Sequence, residues 1–355
     1  MKKVLATILA LVMALSVTTM AWADDVAKIG NTGYATLKEA IEHVANGETI
    51  VLTADVNNGD GIVVASGKNF TLDFAGHTYT ITQNVVGSTG TESQCFQLLK
   101  DSTITMKDGA IVANCAGAKM IIQNYCNLTL DNMILDATAG NNNVGYVVSN
   151  NCGNVVIKNG TTITAKTTGV AFDVYGGFQN YGDVSVTLEA GATVNGKVEV
   201  ARDTGTQNKN TLTVTGGTVN GELAVTQNAK TEVAVTGGTF SSDVSAYAAG
   251  NTPVASNNGT YYVGAETIQN AANTLSAGQQ LKIEKGTVTI NGNTVTAGTS
   301  YTVPSRYYYY QPTTDTKTDN TKGSPKTFDA GIALYVGMAL TSAAGVAFVG
   351  KKRED

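Results

Sequence analysis

Proline is missing between residues 24 and 252. The four prolines are Pro253, Pro304, Pro312 and Pro325. Proline cannot donate to a strand ladder, so this gap suits an unbroken hydrogen-bonded sheet. Tryptophan is limited to Trp22, which denies the chain the commonest aromatic sugar platform. Histidine is limited to His43 and His77, and residues 24–305 hold one arginine, Arg202, in "ARDTGTQNKN". That scarcity thins the candidates for acid–base catalysis. Between residues 24 and 329 there are 18 Lys plus Arg against 26 Asp plus Glu. An acidic stretch of this kind speaks against nucleic acid, whose binding rests on clustered positive charge.

The body is a repeat. Segments such as "STITMKDGAIV", "NLTLDNMILDA", "VSVTLEAGATV" and "TLTVTGGTVNG" alternate apolar and polar residues, turn, and resume. The last inward residue before each turn reads Phe74, Met106, Leu130, Ile157, Leu188, Val214 and Val235. Their spacings are 32, 24, 27, 31, 26 and 21. Short strands cannot bury a face alone, but coils stacked about 4.8 Å apart make continuous sheets around an apolar interior. Glycine lies three residues on at Gly109, Gly160, Gly191, Gly217 and Gly238, where a corner needs left-handed backbone angles. The expected fold is all-β: a right-handed parallel β-helix over 24–252 rather than a β-sandwich.

An open stack needs a cap. "YATLKEAIEHVANGETIVL" supplies an amphipathic helix with a Thr36/Glu39 capping box, an apolar face of Leu37, Ala40, Ile41 and Val44, and Gly47 as its stop. "AETIQNAANTLSAGQQLKI" repeats the pattern, with Thr267 opposite Thr36, Ile268 opposite Leu37 and Gly278 opposite Gly47. Residues 253–304 therefore read as a C-terminal cap or a second helix-strand unit. The helix leading into "GETIVLTADV" and "GIVVASGKNFTLDFAGHTYTI" resembles the start of right-handed β-helix surface proteins of the pectin-lyase-like superfamily. The resemblance covers roughly residues 30–250. It implies the fold and a surface or glycan-related setting, and it transfers no catalytic residue.

The termini address location. Lys2 and Lys3, an apolar stretch from Val4 to Val17 and Ala21-Trp22-Ala23 have the three parts of a signal peptide, residues 1–23. Ala330 to Gly350 is uncharged, long enough to span a bilayer, and followed by Lys351, Lys352 and Arg353. Residues 328–355 are thus expected to form a single transmembrane helix and basic cytoplasmic tail, behind a polar linker at 305–327. Ser324-Pro325-Lys326-Thr327 before that run resembles the LPxTG sorting signal of Gram-positive surface proteins, matched at Pro325 and Thr327. Ser324 stands where that signal has leucine, and Phe328 where it has glycine. The resemblance implies a sortase and peptidoglycan as partners; retention by the span alone is the other outcome. Either one places the chain on the extracellular face, anchored to membrane or wall.

Chemistry is sparse. Arg202 beside Asp203 reads as an exposed pair worth little. No acidic loop has calcium spacing, and Cys95, Cys115, Cys126 and Cys152 lack the CxxC spacing of structural zinc. Those cysteines allow three disulfide connectivities or buried free thiols. No cofactor is expected. "DVYGGFQNYGD" offers Tyr175, Phe178 and Tyr181 as candidate ligand contacts, rings able to stack on sugars. The functional expectation is a non-catalytic adhesin-like or structural β-helix, binding glycans or other surfaces. The alternative is a polysaccharide lyase or hydrolase on the same scaffold.

Overall fold

The computed structural model describes residues 25–305 apart from 204 and 206. The signal peptide, the Pro325/Thr327 motif and the 328–355 anchor lie outside the described residues. Among the described residues no helix is long and apolar enough to cross a membrane.

Seven strands form a short sheet in strict chain order: Ile62–Val64, Gln94–Leu98, Met120–Asn124, Tyr146–Asn150, Val170–Val174, Lys197–Val200 and Leu223–Val225. Every pairing in it is parallel. Ile62, Phe96, Ile122, Val148, Phe172, Val198 and Leu223 stand in register down its inner face. All seven are buried. Each such side chain contributes about 1.5–3 kcal/mol through burial that no single strand could provide.

A second sheet carries two parallel rows per coil. One row runs through Asn69–Asp73, Asn127–Asp136, Gly153–Ile157, Val184–Leu188, Asn210–Val214 and Thr231–Val235. Thr103–Ala113 and Asn127–Asp136 pass from one row to the other without a break, turning at Asp108 and Asn132 with φ of 57° and 54°. Met106, Leu130, Ile157, Leu188, Val214 and Val235 are consecutive register partners, as the repeat alignment requires. Their predecessor is Leu72, not Phe74. Phe74 is buried two residues further on, packed so close to the next coil that a Cβ on Gly109 would lie 2.2 Å from its own. Chains of parallel sheets around one apolar interior are compatible with a β-helix.

The ends differ from the middle. Ala27–Ile29 pairs antiparallel with both Thr32–Tyr34 and Thr49–Leu52, closing the first coil. Helix α1, Leu37–His43, buries Leu37, Ala40 and Ile41, and Thr36 Oγ1 accepts the Glu39 N–H at 3.1 Å. It stops at His43 rather than Gly47, because buried Val44 already turns extended at ψ 129°. At the far side Thr260–Val263 lies antiparallel on Gly238–Phe240 and ends the parallel stacking. Residues 255–303 carry a separate apolar cluster with Ile268, Ala271, Leu281 and Ile283, built around helix α2, Ala265–Thr274. Gly264 is the N-cap of α2, so Thr267 sits inside the helix and does not repeat the capping role of Thr36.

Candidate functional site

The site is built on the outer face of the short sheet. Tyr175 leaves the strand Val170–Val174, and the loop after it is pinned at both ends. Asn210 Oδ1 accepts the Gly176 N–H at 2.6 Å, while Asn208 Nδ2 donates to Gly176 O at 3.1 Å and Phe178 O at 2.8 Å. Lys100 Nζ donates to Asn180 O at 3.2 Å, and the Cys152 thiol to Tyr181 O at 2.7 Å. Gly177 leaves space for the Tyr175 ring, since a Cβ there would lie 2.1 Å from Tyr175 Cζ.

This loop brings the three predicted rings together and adds a fourth. Tyr175 and Phe178 centroids are 6.0 Å apart, and Phe178 and Tyr181 5.8 Å. Tyr125, from two coils earlier in the short sheet, lies 4.6 Å from Tyr181 and 6.1 Å from Phe178. Edge-on and tilted pairs at these separations are favourable arrangements for aromatic rings. Phe178 is 41% and Tyr181 37% exposed, among the largest apolar exposures described.

Beside the rings stands a charged core. Arg202 lies with its guanidinium 4.5 Å from the Tyr175 centroid and 4.8 Å from that of Tyr146, within cation–π range of both. Its Nη2 donates to Asp173 at 2.7 Å, and Nε is 3.8 Å from Glu199. The expectation of an Arg202–Asp203 surface pair is thus corrected. Asp203 instead accepts from the Tyr175 hydroxyl at 2.9 Å. Asp173 is wholly buried on a central strand and also accepts from the Asn150 N–H at 2.6 Å and from Ser149 Oγ at 3.3 Å. Burial pushes its carboxyl up to about 6, with Arg202 acting in the opposite direction. Glu199, its register partner on the next strand, accepts from Tyr146 at 3.1 Å and Lys197 at 2.7 Å. Burial raises the Tyr125 phenol to about 12, and the bond to Asp203 raises that of Tyr175. Both remain protonated donors at neutral pH.

Sequence reading missed Tyr125, Tyr146 and Asp173. A signal existed for the first: "MIIQNY" and "VAFDVY" end on tyrosine at equivalent places in the short sheet, where Tyr125 and Tyr175 each donate a backbone N–H to the preceding coil. Asp173 showed only as a lone charge inside an apolar strand.

The remaining candidates lie apart. His43 Nδ1 is 2.8 Å from Glu39 O on α1, and His77 Nδ1 is 3.2 Å from Asp55. All four cysteines are free thiols. Burial raises Cys126 to about 12 and raises the others too, which makes them poor nucleophiles. Among the described residues no group of three or more His, Cys, Asp or Glu is placed to hold a metal. A cleft of about 510 Å³ runs between Thr193, Thr218 and Thr239 and helix α2. It is larger than the 190 Å³ hollow beneath Tyr181, but none of the clustered rings lines it. Comparison with protein-family models, curated proteins and solved structures finds no match.

Proposed function

We propose that this chain is a non-catalytic, adhesin-like right-handed parallel β-helix that binds glycans through the Tyr125–Tyr175–Phe178–Tyr181 patch. The observation that carries this reading is the exposure of Phe178 and Tyr181 at the edge of a ring cluster anchored to a stacked scaffold. Sugars present C–H faces to rings and hydroxyls to phenols, and a rigid platform loses little entropy on binding. Display on the extracellular face rests on the signal-like N-terminus, the Ala330–Gly350 run and the Pro325/Thr327 motif, with a sortase and peptidoglycan as partners of that anchoring.

The polysaccharide lyase or hydrolase alternative draws on Asp173 and Glu199, two carboxylates in register on neighbouring strands. Glycoside hydrolysis uses such a pair with one member reaching the sugar. Asp173 is sealed from solvent and held by Arg202, while Glu199 is held by Tyr146 and Lys197, which favours the binding reading. The test is a glycan array with the full chain purified in detergent, alongside a polysaccharide panel assayed for products. Binding that falls about tenfold or more, roughly 1.4 kcal/mol, in Phe178→Ala/Tyr181→Ala is expected. Shortened or unsaturated products would replace this reading with the enzymatic one.

A further inference from the structure

The four thiols fall into two pairs along the short sheet. Cys95 and Cys115 stand where the chain enters consecutive strands. Cys95 follows Gln94, the register partner of Met120. The turn that Cys115 opens is closed by the Ala118 N–H on Cys115 O at 3.1 Å, and it delivers the Lys119 N–H to Ser93 O at 2.8 Å. Cys95 lies in the apolar core, Cys115 packs against it, and each thiol acts on the titration of the other. Cys126 and Cys152 stand where consecutive strands leave the sheet. Asn124 and Asn150 are register partners before that corner, and Leu128 and Val155 after it. Within the corner the Asn151 N–H donates to Asn124 O at 2.9 Å and the Asn154 N–H to Asn127 Oδ1 at 3.0 Å. Cys126 and Cys152 are thus neighbours across one coil spacing of about 4.8 Å, inside the Cα separation of about 4.4–6.8 Å that a disulfide spans. Both line the 190 Å³ hollow beneath Tyr181.

We infer that Cys95–Cys115 and Cys126–Cys152 close to two disulfides when the chain meets an oxidising setting, stapling the Met120–Asn124 coil to the coil before it at its entry and to the coil after it at its exit. It rests on the surface reading above only for that setting. The other two connectivities are excluded by reach, because each joins an entry cysteine to an exit cysteine. Cys95 lies level with Ile121, five residues and about 16 Å of strand short of Cys126. That is more than twice what a disulfide spans. Cys115 comes before Met120 and Cys152 after Asn150, the register partner of Asn124, so the length of the strand separates them too.

Each closure forms one S–S bond. Two thiols give up two protons and two electrons to a small-molecule disulfide such as oxidised glutathione, which is split into two thiols. The attacking species is a thiolate, and burial holds all four thiols in the protonated form. Exchange in the folded chain is therefore slow, and the bridges close while the coils are still assembling. The second bridge has a local consequence. Cys152 Sγ must turn towards Cys126 from Tyr181 O, to which it donates at 2.7 Å. The ring loop then keeps Lys100 on Asn180 O and Asn208 on Phe178 O. Cys126 gives up its thiol bond to Asn124 Oδ1, but that oxygen still accepts the Cys126 N–H at 3.1 Å. The stapled coil leads directly into Tyr125, so the two bridges fix the support of the ring cluster.

The test refolds the full chain in detergent with a glutathione redox buffer, caps free thiols with N-ethylmaleimide under denaturing conditions, and maps the peptides by mass spectrometry. Trypsin with Asp-N cuts after Lys100, Lys107 and Lys119 and before Asp131, placing each cysteine on its own peptide. Expected are no capped cysteine and cross-linked peptides of the Cys95–Cys115 and Cys126–Cys152 pairs alone. Cys152→Ser should leave Cys126 unbridged and the Cys95–Cys115 bridge intact. The bridged chain should melt at least about 5 °C above the same chain reduced, since a cross-link narrows the unfolded ensemble. Where refolding does not restore the β-sheet circular dichroism, chain secreted by a producing host is capped and mapped in the same way. Four capped cysteines, a bridge from an entry to an exit cysteine, or equal melting of the bridged and reduced chains overturns the staple. The redox buffer supplies the oxidising setting, so failure there counts against the pairing and not against surface display. The glycan array reports separately: silence there removes the ring-patch reading and leaves the bridges standing.

Discussion

Asp173 has no solvent contact, and the direction of its titration shift states what that does to stability. Its carboxyl is raised from an ordinary 3.8 to about 6, so between those values the folded chain binds the proton and the unfolded chain has lost it. Stability from this group is therefore full below about pH 4 and is lost as pH rises to about 6, by on the order of 3 kcal/mol. Asp173→Asn should flatten that part of the stability–pH curve in urea denaturation. Arg202→Ala should act oppositely. It leaves a carboxylate buried without a counter-charge, held only by Asn150 and Ser149, at a loss of about 2–3 kcal/mol near pH 7.5, the lower end of such changes because the guanidinium is itself a third exposed. Near pH 4 the loss should shrink, since a neutral Asp173 has less need of the arginine. An equal loss at both pH values would show that Arg202 stabilises the loop by packing against Tyr146 and Tyr175 alone.

At the scale of one coil, the corner decides which residues are allowed. Gly217 has φ of 84°, and a Cβ there would lie 2.7 Å from Ala192 O and 2.9 Å from Glu189 O, both backbone atoms of the coil beneath. Neither the dihedral nor the contact can relax without shifting a neighbouring rung. Gly217→Ala should thus lose about 2 kcal/mol or more by thermal melting, well above a surface substitution. The first coils make the same turn with Asp108 and Asn132, so glycine is not the sole solution: Gly109 follows Met106 by three yet Asp108 takes the left-handed angle there, and only at Gly160, Gly191, Gly217 and Gly238 does the glycine itself adopt it. This explains how the register could be read from the chain. From Met106 to Val235 the inward residues alternate cleanly up to a corner signal, and the pairings follow. At Phe74 the turn comes after Ala75-Gly76, and the longer apolar run hides which residue faces Met106. The site was less legible, because its parts come from separate coils. Tyr175, Phe178 and Tyr181 share a loop and could be grouped, but Asp173 and Arg202 are 29 positions apart and meet only through a coil period that varies. Adjacency in sequence pointed Arg202 to Asp203, while adjacency in the stack gave it Asp173.

For the described body as a whole, the question is what stops a stack of parallel strands from growing onto another copy. Every coil leaves unpaired backbone groups for the next, and the last one must be covered or it templates association. Here the covering is antiparallel. Thr260–Val263 takes up the edge of Gly238–Phe240, and Val254–Asn257 pairs onto Thr260–Val263 in turn. On the short sheet, the last strand is closed by side chains instead: Ser242 Oγ accepts the Leu223 N–H and donates to Gly221 O. Ile268, Ala271, Leu281 and Ile283 give the cover an apolar cluster of its own, while Val254 and Val263 of its two strands belong to the core of the stack and fasten it there. Ending the chain at residue 253 would expose both the Gly238–Phe240 edge and the buried end residues Val235, Phe240 and Val244. The expected outcome is a truncated chain that keeps its β-sheet circular dichroism but elutes as dimers or larger species in size-exclusion chromatography with light scattering. Two charged substitutions on the newly bared edge, Thr239→Lys and Ser241→Lys, should restore the monomer by making edge pairing unfavourable. A truncated chain that stays monomeric without them would mean that the Ser242 closure protects the end by itself, and that residues 254–303 serve some purpose other than capping.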